Sequence, residues 1–249
     1  MSADAQHLFR AICSDHYVNL KVALKLELSR DRQSVMDLFD RVRRLHPGMD
    51  QFKRYQDEIA LETNTSGQEH LWLAIRANSI RSGSVNPDSL EDGYRYHKSI
   101  LELTPPFLTI SPLDIDFVEL LYGFDMPAPG NHNEIIYDAL YAGSHLSPLM
   151  DIPGTSPIDV QPVFGVLIRD ESETEAQFEV KTRATRGSDD GSHPDPISVY
   201  LTLRRRGPFR DLSGVGPAFD SLARHGEQLL AERAEPYLLT PIYEAIRSL

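Results

Sequence analysis

From Tyr17 to Leu28 the chain alternates. Val18, Leu20, Val22, Leu24, Leu26 and Leu28 fall on one side, and Asn19, Lys21, Ala23, Lys25 and Glu27 on the other. A period of two with a polar partner set predicts a strand with one wet face. The spacing then changes: Val35, Leu38, Phe39, Val42 and Leu45 recur at helical intervals after Asp31, which can cap, and His46-Pro47-Gly48 stops the helix. Strand-like runs follow at 52–63 and 70–77, parted by the turn-rich segment 64–67, with a shorter run near 80–85. Pro87-Asp88-Ser89 opens a second helix with Leu90, Tyr94, His97 and Leu101 on one stripe.

The second part of the chain reads in the same order. Residues 113–124 alternate as a strand, Asn131 or Asn133 can cap a helix carrying Ile135, Ile136, Ala139 and Leu140, and strands are expected at 160–168, 175–184 and 197–205. A long helix from Pro217 to about Arg233 and a short one near 241–248 close the chain. The expected fold class is therefore α+β: two βαβββα-like halves whose antiparallel strands pack against helices. Residues 1–16 form a tail or short helix, 17–110 the first half and 111–249 the second, with both halves able to share one domain.

The order of elements, the alternating strand near the start and the closing amphipathic helix resemble an uncharacterised, sporadically distributed bacterial α+β family built from two related halves. Its members tend to carry an Ala-His-Glu step in the closing helix, where this chain has Arg224-His225-Gly226-Glu227. The resemblance implies a fold. It implies no catalytic residue, because the family has no established activity.

Composition narrows the function classes. With 41% hydrophobic and 25% charged residues the chain has the balance of an ordinary folded protein, and its single cysteine, Cys13, cannot make an internal disulfide. The start of the chain lacks a signal-like apolar region, and no apolar run approaches the roughly 20 residues of a bilayer span. A cytoplasmic protein with no membrane segment is expected. A net charge of −12 argues against nucleic acid as partner.

Much of that charge lies between Ser99 and Ile168, a stretch without lysine or arginine that carries nine carboxylates. Within it Asp114 and Asp116 stand two apart on the expected strand, which would project both from one face with Tyr122 further along. Such a pair can hold a hard cation or share acid–base work; alternatively it marks the solvated end of a half-buried strand. A histidine metal centre drawn from His132, His145, Glu134 and Asp138 lacks the usual ligand spacing, and no metal or cofactor is expected. Phosphate-loop, dinucleotide and nucleophile-elbow motifs are absent, and the segment 187–196 has the composition of a mobile hairpin loop rather than a calcium loop.

Arg183, Arg186, Arg204, Arg205, Arg206 and Arg210 cluster on or just past the last two strands. They can pair with neighbouring glutamates, or Arg183, Arg204 and Arg206 can form an anion or partner patch. The Pro-rich connection at 142–159, with Leu146, Leu149, Met150 and Ile152, is expected to pack on its own sheet or on another subunit. Together these features favour a non-enzymatic protein-binding or scaffold module, working with a protein partner or as a homo-oligomer. The alternative is a small-molecule-binding α+β protein, or a hydrolase or lyase, with a pocket near Asp114, Asp116 and Tyr122.

Overall fold

The computed structural model describes residues 9–28, 31–64, 69–169, 173–182 and 194–249. Arg183, Arg186 and most of the 187–196 loop lie outside the described residues. The chain is α+β: helices pack on one face of a nine-stranded antiparallel sheet with order β2-β3-β4-β5-β1-β6-β9-β8-β7.

The alternating run forms β1 (Asp15–Leu24), whose Val18, Leu20 and Val22 are at most 4% exposed. Asp31 caps α1 (Arg32–Leu45) by accepting from the Ser34 N–H, and Val35, Leu38, Phe39 and Val42 form its buried stripe. The expected single run at 52–63 divides into β2 (Met49–Arg54) and β3 (Glu58–Thr63), because the polar residues 55–57 turn the chain back on itself. With β4 (His70–Arg76) and β5 (Ser79–Val85), four strands rather than three follow α1. Ser89 caps α2 (Leu90–Leu108), which ends where Thr109 takes a left-handed conformation at φ 53°.

A second correction concerns residues 113–124. Ser111-Pro-Leu-Asp114 is a capped 3-10 turn, in which the Asp114 carboxylate accepts from the Ser111 N–H at 2.9 Å, and β6 (Ile115–Pro127) begins only after it. An irregularity between Ala23 and Leu24 shifts the register against Ile115 and Phe117. Phe117 sits on the open side, while Ile115, Val118, Leu120 and Tyr122 enter the core. Leu113, inside the turn, is 71% exposed.

Next come α3 (His132–Leu140), capped by Asn131, then β7 (Val163–Ile168), β8 (Thr174–Lys181) and β9 (Pro196–Arg206). The closing helix runs further than its apolar spacing suggested. It passes from α4 (Val215–Leu229) through a π-helical stretch, Leu230–Leu239, into α5 (Thr240–Arg247). Pro236 lies inside the π-helical stretch; its ring cannot donate the ordinary backbone bond, and a wider turn accommodates it without ending the helix.

The core lies between the helices and the inner face of β1, β6 and β9, where Val118, Leu120, Val199, Leu201 and Leu203 are at most 1% exposed. Each such burial contributes about 1.5–3 kcal/mol. Gly226 of α4 sits directly on the Tyr122 ring, and a Cβ there would come within 2.4 Å of it. Glycine at this step lets α4 approach the centre of the sheet. Among the described residues no helix is long and apolar enough to cross a membrane.

Candidate binding face of the sheet

Among the described residues no helix covers the outer face of the sheet, so its side chains can be read row by row from the register. One row runs Ala74, Arg81, Lys21, Glu119, Arg204, Glu175 across β4, β5, β1, β6, β9 and β8. The next runs Trp72, Gly83, Asn19, Leu121, Thr202, Gln177. A third contains Val85, Tyr17, Gly123, Tyr200 and Glu179.

Two glycines in these rows have a packing reason. The Trp72 indole lies across Gly83 and the Tyr17 ring across Gly123, so a Cβ at either position would meet the ring at 2.1 Å. The rings in turn hold cations. The Arg81 guanidinium stands 5.7 Å from the Trp72 ring centre, Lys21 Nζ 5.2 Å and Arg204 4.4 Å from Phe117, and Lys181 Nζ 5.5 Å from Tyr200. Such stacking fixes a cation without neutralising it.

The cations of the first row differ in their partners. Arg204 donates to Glu119 at 2.5 Å and approaches Glu175 at 3.8 Å, and Arg206 reaches Glu175 at 2.8 Å. The Arg206 pKa is raised by its hydrogen bond to Glu175 and further by that carboxylate's charge. Lys21 and Arg81 stand directly opposite one another on β1 and β5, and among the described residues neither forms an ion pair. Like charges at opposed strand positions repel. Beside them a hollow of about 460 Å³ is lined by Asn19, Asn78, Arg76, Asp116 and Glu119 among others, and Asn19 Oδ1 is buried in it with no hydrogen-bond partner among the described residues.

The residues singled out from the sequence therefore separate. Asp116 lines the outer hollow, Asp114 is occupied in its capping turn, and Tyr122 is buried on the opposite face. Tyr122 shares a 2.6 Å hydrogen bond with Tyr94, and burial drives the phenol pKa of both well above the ordinary range. Arg204 and Arg206 are engaged by glutamates on adjacent strands, and Arg183 lies outside the described residues. His132 is buried and uses Nε2 on the Ala128 carbonyl, His145 is exposed, and among the described residues no three metal-ligating side chains converge. Cys13 is part-buried, and burial pushes its thiol up to about 12, with the Asp125 and Asp15 charges adding to the effect. The connection at 142–159 divides: Met150 packs against the core, whereas Leu149 and Ile152 are exposed.

Lys21, Arg81, Trp72 and Phe117 were not singled out from the sequence as a group. A partial signal was present in the wet positions Asn19 and Lys21 of the alternating strand and in the chain's single tryptophan. Which strand lay beside them was a long-range fact. No protein-family model matches the chain, and no curated protein matches it.

Proposed function

We propose that the chain is a non-enzymatic protein-binding module whose uncovered sheet face receives an acidic partner segment. The observation that carries this reading is the opposed pair Lys21 and Arg81, stacked on aromatic rings and lacking ion pairs among the described residues of a chain with net charge −12. A carboxylate-bearing segment laid across β1 and β5 relieves their repulsion. It also gains charge-assisted hydrogen bonds from groups already fixed in place. The part-exposed aromatic rings supply apolar contact area of the kind enriched at interfaces. The alternative pocket around Asp114, Asp116 and Tyr122 has less support, since those side chains do not share a surface.

Native affinity purification followed by mass spectrometry tests the reading. The expected result is a reproducible protein partner that is lost when Lys21→Glu and Arg81→Glu are combined in a chain with unchanged circular dichroism. Recovery of a small molecule in place of a protein overturns it, as does a partner retained by the double variant.

A further inference from the structure

β7 ends the sheet on its second flank, and its composition is unusual for an edge. Val163-Phe-Gly-Val-Leu-Ile168 contains no charge, and both faces are open: Val163, Phe164, Val166 and Leu167 are each about half exposed. Natural edge strands are normally blunted by a charge, a proline or a cover, because unpaired N–H and C=O groups invite another strand. The hydrogen bond from the Val180 N–H to the Pro162 carbonyl fixes the phase of the ladder. Even-numbered residues of β7 direct their backbone groups to β8, and Val163, Gly165 and Leu167 direct theirs outward. Pro162 therefore lacks an N–H only on the paired side and does not guard the edge.

We propose that β7 pairs antiparallel with β7 of a second copy of this chain, about a two-fold axis normal to the sheet at Gly165. This inference is independent of the Lys21 and Arg81 face. Three features select a second copy as the occupant. First, the strand is self-complementary: pairing about Gly165 sets Val163 against Leu167 of the second copy on the outer face, and Phe164 against its Val166 on the helix side. Second, the register brings one charge pairing across the seam. Arg169 follows β7, while Gln161 precedes it and holds Asp159 by a 2.8 Å hydrogen bond, so antiparallel pairing places each Arg169 opposite the other copy's Asp159–Gln161 end.

Third, the assembly closes. Once both β7 strands are paired, the only edges left among the described residues are the two copies of β2, whose Asp50, Lys53 and Arg54 oppose further addition. The 142–159 connection adds to the same surface. Its Leu146 and Leu149 line a hollow of about 230 Å³ with Val160 and Gln161, which lead into β7.

Sedimentation equilibrium of the full chain at micromolar concentration is expected to give twice its 28.1 kDa mass. Leu167→Lys charges the outer face of the pair, and is expected to weaken association on the order of tenfold or more while leaving circular dichroism unchanged. Gly165→Cys in a Cys13→Ala background supplies a separate readout, since a Cβ at Gly165 meets no atom within 4 Å. Opposed hydrogen-bonded residues have Cα atoms about 5.5 Å apart, within disulfide range, so mild oxidation is expected to give a covalent dimer on a non-reducing gel. A monomeric wild type overturns the proposal, even one that captures an extended apolar peptide. So does a dimer that Leu167→Lys leaves intact, or one that Gly165→Cys does not cross-link.

Discussion

β2 and β7 both end the same sheet, and they are built on opposite terms. β2 carries Asp50, Lys53 and Arg54, is offset by a register shift at Met49 and Gln51, and is held from the helix side by α1, where the Phe39 and Phe52 rings meet at 6.0 Å. On the outer face Glu62 of β3 ties it further, accepting from Lys53 at 2.7 Å and from the Tyr55 hydroxyl at 2.9 Å. β7 has no charge, and among the described residues no helix ring meets Phe164 as Phe39 meets Phe52, although the two edge rings are similarly exposed, at 55% and 53%. An edge closed by charge and a covering helix contributes to the stability of its own chain. An edge without either has its apolar surface still to bury, so substitutions on the two flanks should read out in different measurements.

The largest difference is expected at Phe39→Ala. Phe39 is 2% exposed and joins α1 to the first flank, so truncation leaves a cavity where little can collapse. A loss of about 3–5 kcal/mol is expected in denaturant unfolding. A loss below about 1 kcal/mol would mean that α1 does not clamp this edge.

Acid should act on the first flank through His97. Its ring is fully buried between Ser82, at 2.8 Å, and the Val18 carbonyl, at 3.0 Å, and burial lowers its pKa from 6.5 to about 4. The native imidazole therefore stays neutral between those values while the unfolded chain takes up a proton. Stability contributed by the neutral ring is complete above pH 6.5 and is lost as pH falls towards 4, by about 3 kcal/mol in all. Burial lowers His16 and His46 as well, giving a slope of the same sign. His97→Gln keeps hydrogen-bonding capacity without titrating, and should flatten most of this slope in unfolding curves measured between pH 4 and 7.

A smaller contrast is expected between two glutamates. Glu62 is 8% exposed and serves two donors, so Glu62→Ala should cost about 1–2 kcal/mol through the two lost hydrogen bonds, with Tyr55 and Lys53 left to solvent. Glu175 of the second flank meets Arg206 in a more solvated setting, and Glu175→Ala should change stability by about 0–1 kcal/mol. Equal losses in chemical unfolding would show the two flanks to be held alike.

What the sequence disclosed follows the reach of each interaction. The alternation of β1, the stripe of α1 and the cap at Asp31 are local and readable from spacing alone; the starts of the next two helices were bracketed at Pro87–Ser89 and at Asn131 or Asn133, and the structure assigns their caps to Ser89 and Asn131. The capping turn at Ser111-Pro-Leu-Asp114 carried a local signal too, a serine followed three residues later by an acid, but the alternation beyond it was more conspicuous. That misplacement grouped Asp114, Asp116 and Tyr122, and the irregularity at Ala23 and Leu24 then put Tyr122 on the opposite face. The π-helical stretch around Pro236 was hidden because proline ordinarily ends a helix. The outer face depends on which strands are neighbours: Lys21 meets Arg81 across β1 and β5, and Glu119 across β1 and β6, and no window of sequence contains either pair.

The smallest effect on the isolated chain is expected at Phe164→Ala, the counterpart of Phe39→Ala. Phe164 lies opposite Phe178 of β8 and remains 55% exposed, so its removal opens no enclosed cavity and releases little buried area. Unfolding of the monomer, followed at high dilution, should shift by about 0.5 kcal/mol or less. At concentrations where two β7 strands meet, the same ring packs against Val166 of the second copy, and its loss should lower the apparent unfolding midpoint in a concentration-dependent way. A midpoint that falls equally at all concentrations would place Phe164 in the chain's own core, and the two edges of the sheet would then differ in charge alone.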